Sequence, residues 1–142
     1  MLSRRELSRA QLEERLRRKG FAPDAVRSAL QRLQETGALD DHRAAHTTAH
    51  TAAHVKLQGR HRTARELGRR GIERALSDRV IDEVYGELDE QVLLERALAR
   101  RLSGSIATHA ELRRLYQYLL RQGFDDGAAQ STLMARTALV KE

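Results

Sequence analysis

Apolar residues recur every three or four positions along most of the chain. Leu12 and Leu16 lie one helical turn apart, and Val26, Leu30 and Leu33 continue this spacing further on. Such spacing brings the apolar side chains onto one face of a helix, and burying that face stabilises a packed fold. The pattern predicts an all-α protein with no strand. The predicted helices cover residues 4–19, 24–36, 41–58, 62–70, 77–87, 90–102, 109–122 and 126–138.

Three of the predicted helices end in the same way. Basic residues near the helix end are followed by Gly20, Gly71 or Gly123, and an apolar residue follows each glycine. The cations face the negative end of the helix dipole, and glycine readily takes the left-handed backbone that ends a helix. We expect the apolar residue after each glycine to fold back onto the helix end, so that Phe21 and Phe124 become cap contacts.

Helix starts are also marked by side chains that accept hydrogen bonds from the first turn. Ser8 with Gln11, and Thr108 with Glu111, have the spacing of a capping box. Other residues are candidates for N-caps or first-turn acids. These candidates are Asp24, Asp41, Ser77, Asp89 and Asp125.

The three glycines reveal an internal repeat. Gly71 follows Gly20 by 51 residues, and Gly123 follows Gly71 by 52. Apolar residues also recur at matching positions four before, eight before and ten after each glycine, except that Thr63 occupies the second copy's position eight before. A period of this size, with helix, turn and helix inside it, predicts an array of similar helical units.

Composition narrows the class of protein. The 142 residues include 26 Lys and Arg against 20 Asp and Glu, a formal net charge of +6, and 40% of them are hydrophobic, which is enough for a core. Cysteine is absent, which excludes disulfides, thiolate nucleophiles and cysteine-based zinc sites. The N-terminus is charged, and no run approaches the ~20 apolar residues of a membrane span. We therefore expect a cytoplasmic protein without a membrane segment.

Four segments, in order along the chain, resemble the RecX family of recombination regulators. Residues 4–12 resemble the first-repeat opening of that family, and residues 37–43 resemble its G-x-L-D-D-x-R-F junction. Residues 59–72 are similar to a glycine turn followed by R-x-x-x-E-L-x-x-x-G-I. Residues 115–124 resemble its L-Y-x-[FY]-L-L-R-R-G-F segment. No single segment is specific, but four in this order at these separations are.

The resemblance implies three tandem three-helix repeats in an elongated, curved array. We expect repeat 1 at residues 1–40, with two helices and no leading helix, repeat 2 at 41–88 and repeat 3 at 89–142. The resemblance further implies a monomeric regulator that binds the RecA recombinase filament on single-stranded DNA. It would lodge in the filament groove and restrain growth, ATP hydrolysis and strand exchange in recombination, DNA repair and the SOS response. No cofactor and no catalysed reaction are implied.

Three residues depart from the family pattern in the second repeat. Ala44 is found where the family has Phe, Gln58 where it usually has Tyr, and Thr63 where it has Ile. Smaller or more polar side chains fill less of a core. We therefore expect the second repeat to pack more loosely and its first helix to be less stable.

Positive charge is concentrated on the middle helix of each repeat. Residues 60–74 contain six Arg and two Glu, and residues 96–121 contain six Arg and one Glu, whereas residues 78–95 contain one Arg and seven acids. A basic strip suits a polyanion or an acidic groove, although cations at helix ends also arise from the dipole alone. A direct DNA-binding protein that competes for the strand is therefore the alternative function. The candidate strip comprises Arg17, Arg18, Lys19, Arg62, Arg65, Arg69, Arg70, Arg113, Arg114 and Arg121.

Aromatic residues are few, so a platform for stacking bases is not expected. Tyr116 and Tyr118 lie two positions apart on a predicted helix and therefore face different sides. We expect one ring in the core and the other exposed as a candidate interface residue.

Four histidines recur at every fourth position, at His42, His46, His50 and His54. On a helix they form one stripe, which we call the histidine stripe, and neighbouring imidazoles at this spacing can share a zinc, nickel or copper ion. A metal site needs further ligands, and the chain has no cysteine. Asp41 and His61 are the only other candidates. We expect a polar helix face and no metal.

Catalytic motifs are not apparent. The chain has no glycine-rich phosphate loop, no G-x-S-x-G elbow and no H-E-x-x-H helix. The carboxylate pairs at 40–41 and 125–126 are explained by helix capping. We therefore predict that the protein is not an enzyme.

Overall fold

The computed structural model describes residues 6–138, and this part of the chain is all-helical. The start of the predicted helix 4–19 and of the segment 4–12 lies outside the described residues. The helices are α1 (Arg9–Arg18), α2 (Pro23–Glu35), α3 (Asp41–His54), α4 (Arg60–Arg69), α5 (Arg74–Tyr85), α6 (Glu90–Ala99), α7 (His109–Arg121) and α8 (Asp126–Ala135). Within residues 6–138 no helix is long and apolar enough to cross a membrane.

The helices pack in three groups. Helix α1 packs against α2, helices α3, α4 and α5 pack together, and α6 and α8 both pack against α7. One apolar cluster runs through the second and third groups, whereas a separate small cluster around Val26, Leu30 and Leu39 holds α1 to α2. The first group therefore has its own core.

The three predicted glycine stops are confirmed. Gly20, Gly71 and Gly123 have φ angles of +90°, +78° and +98°. After each glycine, the next N–H donates to a carbonyl five residues earlier, as in Ile72 N–H to the Leu67 carbonyl at 3.1 Å. The apolar residue after the glycine is buried at two of the three ends, at Ile72 and Phe124. Phe21 is instead 54% exposed, so at the first end this side chain is not buried.

The N-caps largely follow the sequence signals. Ser8 forms a complete capping box with Gln11, and the Thr108 hydroxyl accepts from the Glu111 N–H at 3.1 Å. Asp89 and Asp125 also cap helices. Ser77 does not, because α5 begins three residues before it and its side chain is buried.

Some predicted helix bounds are wrong by several residues. Helix α1 begins at Arg9, because Ser8 has the extended backbone of an N-cap. Helix α3 ends at His54, four residues before the predicted end, and Leu57 then takes a positive φ of 52° with its side chain buried. Burial of Leu57 turns the chain toward α4 where propensity alone would extend the helix.

Two of the three departures from the family pattern lie where Tyr85 supplies the polar contacts. Ala44 is buried, and Thr63 is 0% exposed. The Thr63 hydroxyl lies 2.7 Å from the hydroxyl of the buried Tyr85, which donates to the Gln58 carbonyl at 2.7 Å. A tyrosine from α5 therefore packs beside Thr63 and satisfies its hydroxyl. The first helix of the repeat, expected to be less stable, is formed over 14 residues as α3, and looser packing stays a prediction.

Helices α7, α4 and α1 follow one another end to end. Gly59, the N-cap of α4, donates its N–H to the Gln122 carbonyl at the end of α7 at 2.7 Å, and the His61 N–H donates to the Gly123 carbonyl at 3.2 Å. At the next junction, the Ser8 hydroxyl donates to the Arg70 carbonyl at the end of α4. Free carbonyls at the end of one helix are thus satisfied by N–H groups or a hydroxyl at the start of another, and the dipoles meet with opposite signs.

Candidate partner and nucleic-acid interface

The end-to-end arrangement determines where the basic residues lie. The middle helices α1, α4 and α7 carry most of the candidate strip, and every strip residue is exposed or partly exposed. Because the C-terminus of α4 meets the N-terminus of α1, and that of α7 meets α4, the strip crosses two helix junctions. The structure divides the ten residues among these junctions, the C-terminal end of α1 and the surfaces of α4 and α7.

Four arginines line a groove where α4 meets α1. Arg15 and Arg18 come from α1, and Arg69 and Arg70 come from the end of α4. The groove has a volume of about 300 Å³, and a neighbouring groove of about 250 Å³ shares three of these side chains. Guanidinium groups present several donors in a planar fork, which suits phosphate or carboxylate groups. The groove can therefore receive an anionic group from a partner.

Acidic side chains hold part of this cluster in place. Glu66 accepts from Arg70 at 3.0 Å and from Arg69 at 2.9 Å. The hydrogen bond from Arg70 is the main reason that the pKa of Glu66 lies below its ordinary value, and burial opposes this change. Arg18 pairs with Glu14 at 3.1 Å. These pairs lie near the surface, so each contributes little stability but orients its guanidinium.

Arg62 and Arg121 meet at the junction of α4 with α7, where Arg62 has a structural role. Its guanidinium donates to the side-chain oxygen of Gln122 at 2.7 Å and to the Arg121 carbonyl at 3.3 Å. These bonds satisfy the carbonyl end of α7. The exposed Arg121 side chain remains on the surface beside the junction.

The other strip residues are more accessible. Arg65, Arg113 and Arg114 are exposed, and none of them has an ion-pair partner among residues 6–138. Arg17 pairs with Glu13 at 2.7 Å at the end of α1, next to the exposed Lys19. Unpaired exposed arginines are free to bind carboxylates or phosphates of a partner.

Helix α7 has a groove on each of two sides. On one side, Arg113 joins Leu112, Tyr116 and the 63% exposed Met134 around an apolar groove of about 290 Å³. On the other, Arg114 and Arg101 line a polar groove of about 410 Å³. The two arginines of the 113–114 pair therefore face different surroundings.

The two tyrosines divide as predicted. Tyr118 is 8% exposed and donates to the Ala97 carbonyl at 3.3 Å, and the Arg101 guanidinium lies 4.4 Å from its ring centre. Tyr116 is partly exposed at the apolar groove, and its hydroxyl donates to the Asp126 carboxylate. That bond is the first cause of the raised pKa of Tyr116 and of the lowered pKa of Asp126.

The histidine stripe lies along one face of α3, as its spacing predicts. The ring centres are 6.1, 6.3 and 4.2 Å apart for successive pairs. His42 contacts the Glu83 carboxylate of α5 at 2.9 Å, and this contact is the main cause of the lowered pKa of Glu83. Neither Asp41 nor His61 lines the groove beside the stripe. Helix α5 and the segment after it supply the neighbouring carboxylates, which sequence reasoning did not find.

Sequence reasoning also missed two arginines. Arg15 lies in the α1–α4 groove, and Arg101 covers the Tyr118 ring and lines the polar groove of α7. Both belong to charged segments that the sequence identifies, but their positions depend on packing between helices. No signal within one helix distinguishes them from the neighbouring arginines.

Comparison with known proteins finds relatives in the RecX family. A family model described as "RecX, first three-helix domain" matches residues 1–33. Regulatory protein RecX of Halorhodospira halophila is 36% identical over 127 residues, which cover 87% of this chain and 76% of the relative. That of Chlorobaculum tepidum is 32% identical, over 88% of this chain and 76% of the relative. That of Chlorobium phaeobacteroides is 28% identical, over 94% of this chain and 86% of the relative.

Proposed function

Because this chain belongs to the RecX family of regulatory proteins, we propose that it binds RecA recombinase filaments on single-stranded DNA and restrains them. Its role is to limit filament growth, ATP hydrolysis and strand exchange. The protein acts by binding and does no chemistry of its own. The units that contact the filament are the repeats at residues 1–40, 41–88 and 89–142.

The observation that carries this proposal is the end-to-end order of α7, α4 and α1. It joins the basic helices of three units through hydrogen bonds between helix ends, so their arginines are held in one order along the surface. A filament repeats the same surface from protomer to protomer. A chain of repeated basic helices can therefore contact several protomers at once, and linked contacts raise avidity even when each one is weak.

Direct competition for DNA is the second candidate, and the four-arginine groove between α1 and α4 favours it. Guanidinium groups bind backbone phosphates, and such binding weakens steeply as salt rises because bound counterions are released. No aromatic side chain lines this groove. Binding there would depend on charge, without the base stacking that supports tight single-strand binding.

The decisive experiment measures the DNA-dependent ATPase of RecA across a salt series, together with binding of the protein to bare single-stranded DNA. We expect inhibition below one protein per RecA protomer at a salt concentration where bare DNA is not bound. Salt weakens filament contacts that combine charge with buried groups less than it weakens exposed charge pairs. Inhibition that appears only when the protein coats the DNA, and that disappears with DNA binding as salt rises, supports competition instead.

Charge reversal tests the basic strip directly. The triple variant R65E/R69E/R113E should inhibit the ATPase about tenfold less effectively, which corresponds to ~1.4 kcal/mol of binding free energy. The matched control R32E/R79E/R96E changes the same number of exposed arginines on α2, α5 and α6. Equal loss of inhibition in both variants would mean that net charge, and not the strip, determines binding.

A further inference from the structure

The histidine stripe faces a groove that the regulatory function does not use. The groove lies between α3 and the end of α5 and has a volume of about 510 Å³. His46, His50 and His54 line it from one side, and Glu83 and Glu87 line it from the other. Imidazole and carboxylate groups therefore face one another across a space large enough for a hydrated ion.

Two histidines are closer together than the rest. The rings of His50 and His54 are 4.2 Å apart, whereas the other successive pairs are more than 6 Å apart. Both side chains are exposed at the end of α3. Histidines four residues apart on a helix can bind one metal ion through ring nitrogens, and imidazole suits zinc, nickel and copper.

The two glutamates of the groove differ in whether another side chain already binds them. Glu83 is engaged by His42, with oxygens at 2.9 and 3.1 Å from the imidazole nitrogen. Glu87 lies just after the end of α5, is exposed, and has no ion-pair partner among residues 6–138. Its carboxylate is therefore the one available to a ligand in the groove.

We propose that this groove binds a divalent transition-metal ion of the zinc class through His50, His54 and Glu87, with water completing the coordination. Within residues 6–138 no three such side chains already have the geometry of a metal site. The exposed histidine and glutamate side chains must therefore rotate to bind the ion. The sequence alone lacked the third ligand, because Glu87 is 33 residues beyond His54 and lines the same groove only through the packing of α5 against α3.

The ion would join the end of α3 to the segment after α5. Helix α4 packs against both α3 and α5. A ligand that binds only the folded state raises stability in proportion to the logarithm of its concentration over its dissociation constant. Metal binding should therefore stabilise the second repeat whether or not the protein acts on RecA.

The test uses the untagged full chain and zinc chloride as the probe. Titration calorimetry should show about one equivalent of zinc, and the melting temperature should rise with zinc and return to its starting value with chelator. The variant H50Q/H54Q should bind zinc at least about tenfold more weakly, and E87Q should weaken binding less, because it removes one ligand of three.

The matched control H42Q/H46Q removes two histidines from the same face of the same helix. It should retain zinc affinity within about twofold of the unaltered chain. Equal weakening in the two double variants would overturn the assignment of ligands. Absence of a zinc-dependent melting shift in the unaltered chain, or unchanged zinc binding in H50Q/H54Q, would overturn the site itself.

Discussion

At the scale of single residues, a tyrosine that sequence patterns did not identify holds the second repeat together. Tyr85 lies 2.7 Å from both the Thr63 hydroxyl and the Gln58 carbonyl. Replacing Tyr85 with Phe should lower the free energy of unfolding by ~1–3 kcal/mol, because two buried polar groups lose their partner. Replacing Thr63 with Val should cost less, since Tyr85 keeps its bond to Gln58. Urea unfolding of both variants measures the difference, and equal costs would contradict this account.

At the scale of elements, the close approach of α4 and α1 at their junction requires a glycine at position 71. A Cβ on Gly71 would lie 2.4 Å from the Cβ of Ala10, whereas nothing lies within 4 Å of the equivalent position on Gly20. Both have positive φ, so each change to Ala costs ~1–2 kcal/mol of backbone strain. Gly71→Ala should cost distinctly more than Gly20→Ala, because a methyl of Ala10 cannot rotate away and α1 must shift.

A double variant tests whether this contact is the cause. In a chain that also carries Ala10→Gly, the Cβ clash is gone. Gly71→Ala should then cost about as much as Gly20→Ala in thermal unfolding. A cost that remains larger in this background would place the effect elsewhere in the junction.

At the scale of the whole molecule, the first helix pair is expected to open on its own. Its apolar cluster is separate from the cluster shared by α3 to α8. Polar contacts link it to the rest, such as the Arg9 N–H to Asp41 at 2.7 Å and Arg43 to Glu6 at 3.0 Å. In repeat proteins, units that share little apolar contact can unfold separately.

Native-state hydrogen exchange measures this opening. Amides of α1 and α2 should exchange through an opening that costs less free energy than global unfolding, while buried amides of α5 and α7 exchange only with global unfolding. Uniform protection across all eight described helices would show that the molecule unfolds as one unit.

Much of the fold was predictable from local patterns. Helical periodicity, glycine stops and capping residues act within a few positions of the chain, so they indicated eight helices and most of their bounds correctly. The predicted bounds are wrong at the start of α1, at Ser77 and at the end of α3; at the last two, burial of Ser77 and Leu57 outweighs local preference. Their separation of two residues on a helix likewise correctly predicted that Tyr116 and Tyr118 face different sides.

The candidate sites depend on contacts that no local pattern contains. The sequence by itself determined which helices are basic and that the four histidines share one face, because both follow from composition and a period of 3.6 residues. Only the tertiary structure decided that α7, α4 and α1 meet end to end, that Arg15 joins Arg69 and Arg70, and that Glu87 lines the same groove as His54. These contacts join residues distant in the chain, and they depend on how buried faces pack and how helix ends satisfy one another's hydrogen bonds.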